Sequence, residues 1–355
     1  MSSFALYAVL SKNINVVYYK TDPVIMADSL KYGYIVFGGL FASILYNVSS
    51  CVLRSLGDSR TPLYAIITSS VINIALDLMF IFVLKTGVEG AAYATVLSQV
   101  ISSLICIRKL RRIDIIRLKR EDYRVKGIFY LRLLLNGIPM ALMNSVTAVG
   151  CMVVQAFVNE FGVEYTSAYS VCSRYLNLFM NPACTAGTVI SAFSGQNFGA
   201  GQYKRIRQGL QICISIAILS YLIFGSVLVF GNHYLASFML KGELARSLAE
   251  TYLPITGIAL IMVDGLFVYR SAVQGMGYPL IPMLSGIAEM FLRIGIILFL
   301  TGGIGFAATA FAEVGAWSGA FMINMIAFYA IYYAKTKTSP HMVRHVAKGA
   351  VSKTL

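Results

Sequence analysis

The chain has 355 residues, 58% of them hydrophobic and 12% charged, with a mean hydropathy of +0.73. A soluble protein of that length needs a far more charged surface, so a water-soluble globule is excluded. The net charge of +14 is dispersed among loops between apolar blocks, which argues against nucleic acid as a partner. The apolar blocks are long: Thr61 to Leu84 holds one charged residue, Asp77, and Leu210 to Gly231 holds none. About 20 mostly apolar residues cross the roughly 30 Å of a bilayer core.

Taken in chain order, the blocks predict ten spans, near 4–19, 30–54, 62–84, 89–108, 134–158, 165–192, 209–231, 251–275, 280–300 and 306–334. The first is short, is broken by Lys12 and Asn13, and lacks the basic start and cleavage pattern of a signal peptide. Between the fourth and fifth spans lies the basic run IRKLRRIDIIRLKREDYRVKG. With loops alternating in side, 20 of the 29 Lys and Arg fall on one face, six on the other, and Arg174, Arg270 and Arg293 lie inside spans. The positive-inside rule puts the basic face in the cytoplasm of a multi-pass cell-membrane protein. The basic run then reads as a topological anchor and lobe linker, with lipid contact as its other use.

The expected organisation is a first lobe over 1–108, a linker over 109–133, a second lobe over 134–334 and a cytoplasmic tail over 335–355. The six cysteines lie within apolar spans, without Cys-x-x-Cys pairs or nearby His, so neither metal nor redox chemistry is expected of them. No Gly-Lys-Ser/Thr loop follows the glycines of GQNFGAGQYKR, so no nucleotide-binding loop is expected.

The chain carries an internal repeat. CVLRSLGDSRTPLYAI near position 50 and SAVQGMGYPLIPMLSG near 270 align at an offset of 220, with Gly57 on Gly277, Pro62 on Pro282 and Leu53 on Val273. Each stretch ends one span, turns at Gly and opens the next with Pro in its first turn. GVEGAAYAT then aligns with GGIGFAATA, Gly87 on Gly302 and Gly90 on Gly305. Two related bundles of four and six spans follow, and the arithmetic implies two spans absent from the front of the first.

In several of these stretches the chain resembles the MATE (multidrug and toxic compound extrusion) family. LYNVSSCVLRSLGDSRTPL, VINIALDLMFIF and GVEGAAYATVLSQ look like the fourth to sixth helices of such a transporter. GIPMALMNSV resembles its seventh helix, and SAFSGQNFGAGQYKRIRQG the end of its eighth and the loop beyond. The resemblance implies an all-α integral membrane fold of two pseudo-symmetric bundles. It also implies a secondary antiporter with no covalent chemistry and no cofactor. Such a protein exports organic cations of amphipathic character, as a monomer in the lipid bilayer, in exchange for Na⁺ or H⁺. Alternating access by rocking of the lobes is the mechanism expected.

Ionisable residues inside spans cost about 2.5–3.5 kcal/mol at the helix centre on insertion scales and are the functional candidates. Asn73 and Asp77 are four apart and share a helix face. The resemblance matches them, with Thr95, to the coupling-cation site of the first lobe; the alternative is interhelical hydrogen bonding by Asp77. A carboxylate, an amide and a hydroxyl suit Na⁺, and the same carboxylate can carry a proton instead. Glu289 and Arg293 make an i,i+4 pair that reads either as structural neutralisation or as a substrate cavity, in which Glu289 meets a cation once Arg293 turns away. At the offset of 220 they fall on Ser69 and Asn73. Asp264 is a further cavity candidate, too far round its helix to pair well with Arg270. Glu313, in a Gly/Ala-rich stretch, reads as packing or as substrate contact, and Gln155 with Asn159 as polar cavity lining or as ordinary interhelical bonding. Two other functions remain open: a lipid-linked oligosaccharide flippase, which needs a strongly cationic cavity, and a truncated, non-transporting remnant.

Overall fold

A computed structural model describes residues 23–113 and 127–351, with side chains over 31–113 and 127–337. The expected span at 4–19 and residues 114–126 of the basic run lie outside the described residues. The chain divides into two compact units, 1–126 and 127–355, and among the described residues every regular element is helical.

The first unit contains α1 (Pro23–Gly38), α2 (Leu40–Ser55), α3 (Arg60–Leu78) and α4 (Gly87–Leu110). The block expected at 30–54 is not one straight helix: α1 and α2 meet at a 44° bend. The break falls at Gly39, where a β-carbon would overlap the Val96 side chain of α4, so the missing side chain lets α4 press into the bend. α3 continues as a π-helical turn, Met79–Val83. The turn closes where the Thr86 hydroxyl donates to the Phe80 carbonyl at 2.9 Å.

The second unit contains α5 (Gly127–Glu160), α6 (Val163–Phe179), α7 (Asn181–Gly199), α8 (Tyr203–Phe230), the short α9 (Asn232–Met239), α10 (Glu243–Gly275), α11 (Leu280–Ile304) and α12 (Ala307–Val351). Residues 127–133, expected as linker, form the first two turns of α5, and α12 runs on through 335–351, expected as tail. The span expected at 165–192 is two helices meeting at Met180, just ahead of Pro182, whose missing N–H and fixed φ restart the helix. Among the described residues, seven helical segments are long and apolar enough to cross a membrane, or eight when the bent α1–α2 pair is taken as one span. α6, rich in Tyr and Ser, falls short of that test.

Within this unit α10 is the central helix, packed by α6, α7, α8 and α12. Small residues make this close approach feasible. A β-carbon on Gly275 would strike the backbone carbonyl of Ser191 in α7, and one on Gly257 would lie 2.7 Å from Leu228 of α8. The large buried side chains Tyr252, Leu253, Leu260 and Leu266 fill the rest of the α10 surface.

The repeat is visible in the backbone of each unit. Gly57 and Gly277 hold φ of +88° and +87°, and the helices that follow them, α3 and α11, each start three residues later. The second sequence match is corrected by three residues. Gly87 at φ +61° corresponds to Gly305 at φ +56° and not to Gly302, which lies inside α11; Lys85, left-handed at φ +53°, would meet Gly305 at an offset of 220, and the burial pattern decides against that. With that offset of 218, the buried positions Gly90, Ala92, Ala94, Ser98, Ser102 and Cys106 of α4 fall on Ala308, Ala310, Ala312, Ala316, Ala320 and Asn324 of α12, all buried.

Candidate functional site

Two groups of intramembrane polar residues stand out, one in each unit. In the first, the Ser69 hydroxyl of α3 donates to the Ser98 carbonyl of α4 at 2.7 Å and fixes the register of this antiparallel pair. One turn nearer the connecting loop, α3 presents Asn73 and α4 presents Thr95, with Asp77 a further turn along α3. The Thr95 hydroxyl donates to the Ala91 carbonyl at 2.9 Å, which leaves its lone pairs free to accept or to coordinate. Asp77 Oδ1 and Asn73 Nδ2 are buried without a hydrogen-bond partner. An unpartnered carboxylate oxygen at membrane depth is costly, and a cation or a proton there would offset the cost. By type, a carboxylate, an amide oxygen and a hydroxyl are the oxygen ligands that a hard cation takes.

In the second unit, four charges alternate along a chain. Arg270 Nη2 donates to Glu289 Oε2 at 2.7 Å, Arg293 Nη2 to Glu289 Oε1 at 3.1 Å, and the same nitrogen to Glu313 Oε2 at 2.8 Å. The four side chains are almost fully buried, Arg293 at 1% exposure. Two cations and two anions sum to zero, which is how such charges survive in a low dielectric. Arg270 Nε and Arg293 Nε and Nη1 remain without partners.

This chain borders a cavity of about 420 Å³ that is lined by α5, α6, α10, α11 and α12. Its wall is mixed: Tyr169, Tyr252, Phe267 and Trp317 supply aromatic surface, while Asn144, Thr147, Gln155 and Asn177 supply hydrogen-bonding groups. Of the residues singled out in the sequence, Gln155, Glu289, Arg293 and Glu313 lie on the wall. Asn159 does not; it accepts from Gln155 at 2.8 Å and from the Thr166 hydroxyl at 3.2 Å, toward the end of α5. Asp264 is fully buried, neither oxygen has a hydrogen-bond partner, and it lies next to the wall residue Val263 without lining the cavity itself. Arg174 lines a separate open cleft with Glu164 and Lys241.

The partner missed in the sequence is Arg270. Arg270 near the end of α10 and Glu289 on α11 belong to consecutive helices that barely touch, and the long guanidinium arm spans the gap between them. The signal was the third intramembrane arginine itself, which needed a counter-charge.

Two helical bundles sharing one repeat, with buried charge in each and a polar-aromatic cavity in the second, define a polytopic membrane carrier rather than an enzyme. The MatE family model matches residues 2–79 and 139–299, and the chain belongs to the MatE family, whose members are transporters. It is 26% identical over 319 residues to the "Probable multidrug resistance protein YoeA" of Bacillus subtilis, covering 86% of this chain and 67% of that one. It is 36% identical over 175 residues to the "Probable multidrug resistance protein YpnP" of the same organism, covering 48% and 38% respectively. The "FAD transporter" of Shewanella oneidensis is 22% identical over 300 residues, 81% of this chain and 63% of that protein. Among solved structures, an outward-facing multidrug resistance MATE transporter has the same fold, with a TM-score of 0.84 at 18% identity over 94% of this chain and 76% of that one.

Proposed function

We propose that the chain is a secondary active antiporter that exports organic amphipathic compounds in exchange for Na⁺ or H⁺. The observation that carries this reading is the division of labour between the units. One holds Asp77, with one carboxylate oxygen unpartnered, one helical turn from Asn73 and across from α4, which carries Thr95. The other holds a large cavity whose charges are already balanced. An exchangeable cation belongs at the first, and an organic molecule with an aromatic body and hydrogen-bonding edges at the second. The multidrug names of the Bacillus relatives agree with this assignment. A cationic group would reach Glu289 or Glu313 when Arg293 releases one of them. The basic loops would face the cytoplasm of the cell membrane.

A second reading of the substrate rests on the guanidinium N–H groups left over at Arg270 and Arg293. They favour a compound with acceptor or anionic groups, in keeping with the FAD transporter among the relatives.

The test is energised export from vesicles, with a cationic and an anionic fluorescent dye compared. Asp77→Asn is expected to abolish ion-driven export with expression intact. Unchanged export would remove Asp77 from the coupling site, and the dye that is carried decides between the two substrate readings.

A further inference from the structure

The repeat that relates the units also relates their charged residues. The offset of 220 between α3 and α11 puts Asn73 on Arg293, Ser69 on Glu289 and Asp77 on Ile297, and extended back to α2 and α10 it puts Ser50 on Arg270. The offset of 218 between α4 and α12, selected by six matching buried positions, puts Thr95 on Glu313. The second unit's Arg293–Glu313 contact at 2.8 Å thus joins the two positions that carry Asn73 and Thr95 in the first.

Charge accounts for the difference between the two versions. Ser50, Ser69, Asn73, Asp77 and Thr95 carry one negative charge when Asp77 is ionised. Arg270, Glu289, Arg293, Ile297 and Glu313 carry none. Without Arg293 the second set would also carry one negative charge. A single nitrogen of Arg293 sits between two carboxylate oxygens from two helices, 3.1 Å and 2.8 Å away, as a bound cation sits between its ligands. Thr147 Oγ1, on the same cavity wall and without a hydrogen-bond partner, would add a neutral oxygen.

We infer that Arg293 is a tethered cation, which fills in the second unit the position where the first unit binds an exchangeable one. Glu289 and Glu313 accordingly form a latent site for a hard monovalent cation, closed by the guanidinium. The Arg270–Glu289–Arg293–Glu313 chain of the second unit then exchanges no ion in the transport cycle. The comparison rests on reading Asn73, Asp77 and Thr95 as the exchangeable site, whereas the latent site is testable apart from it.

The probe is sodium, with choline at equal ionic strength as the reference, and the readout is the melting temperature of the purified chain across a salt titration. Arg293→Gln is expected to gain a saturable, sodium-specific rise of about 3–6 °C at tenfold over the dissociation constant. Arg293→Lys, which keeps a tethered cation, is expected to gain none. The same increment is expected in an Asp77→Asn background. A folded Arg293→Gln chain with no sodium-specific rise beyond that of the wild type would overturn the inference. If the one uncompensated acid prevents that variant from folding in choline, it is purified in sodium, and equal melting temperatures in sodium and after exchange into choline would overturn the inference. Loss of the wild-type sodium response in Asp77→Asn supports the first-unit site, and its persistence counts against that site alone, because the Arg293 increment is read separately.

Discussion

Glu289 is the node of the buried charge chain, so its replacement is the sharpest test of how that chain is held. Glu289→Gln removes the carboxylate that Arg270 bonds at 2.7 Å and leaves Arg293 with Glu313 alone. One positive charge is then uncompensated among groups no more than 10% exposed. Breaking a buried pair by removing one partner costs about 3–5 kcal/mol, most of it the desolvated charge left behind. At roughly 2–4 °C per kcal/mol for a unit of this size, the melting temperature should fall by about 6–20 °C. Arg270→Gln leaves one negative charge instead, with a loss of the same order. The double variant Arg270→Gln/Glu289→Gln is neutral again, so its loss should be smaller than the sum by about 2–3 kcal/mol. Thermal unfolding of the four purified proteins in one detergent measures the cycle. Strict additivity of the two single losses would refute the claim that the charges act as a balanced unit.

Three further outcomes follow from local geometry. Gly57→Ala and Gly277→Ala should each cost about 1–2 kcal/mol for backbone strain alone, since φ is near +88° and no neighbour lies within 4 Å of the added carbon; thermal unfolding should give similar losses at the two repeat positions. Gly275→Ala should be worse than either, because its methyl group would strike the Ser191 carbonyl in the backbone of α7, which cannot rotate away. Asp58 accepts from the Thr61 N–H at 3.0 Å and its hydroxyl at 2.7 Å, and these bonds hold its carboxyl below the usual range. A carboxyl lowered on folding adds stability above its unfolded pKa, and that stability is lost as pH falls through the folded value. Asp58→Ala should therefore cost about 1 kcal/mol at neutral pH and progressively less in acid, read from melting curves across pH.

The spans and the repeat were legible because long apolar runs and left-handed glycines are local signals. Gly57 and Gly277 could be matched by eye, and their nearly identical φ values give the reason. Gly87 was set on Gly302 rather than Gly305, since sequence alone does not say which glycine of a run takes positive φ. The break at Met180 was missed because α6 and α7 join without a polar loop, and Pro182 was the one local sign of a restart. The Glu289–Arg293 pair was readable from its helical spacing, whereas Arg270 and Glu313 join it across helix hairpins, where side-chain reach decides. Asn73 and Asp77 were visible as neighbours on one face, but their unpartnered atoms emerged only with the packing of α3 against α4.

In the proposed cycle, cation entry at Asp77 drives movement of an organic compound. Substrate-stimulated cation flux in proteoliposomes, with an imposed Na⁺ or H⁺ gradient and no other energy source, tests it most directly. A carried dye is expected to accelerate collapse of one of the two gradients, and Asp77→Asn to abolish the acceleration. Dye movement with neither gradient affected, or acceleration that survives Asp77→Asn, would contradict the cycle.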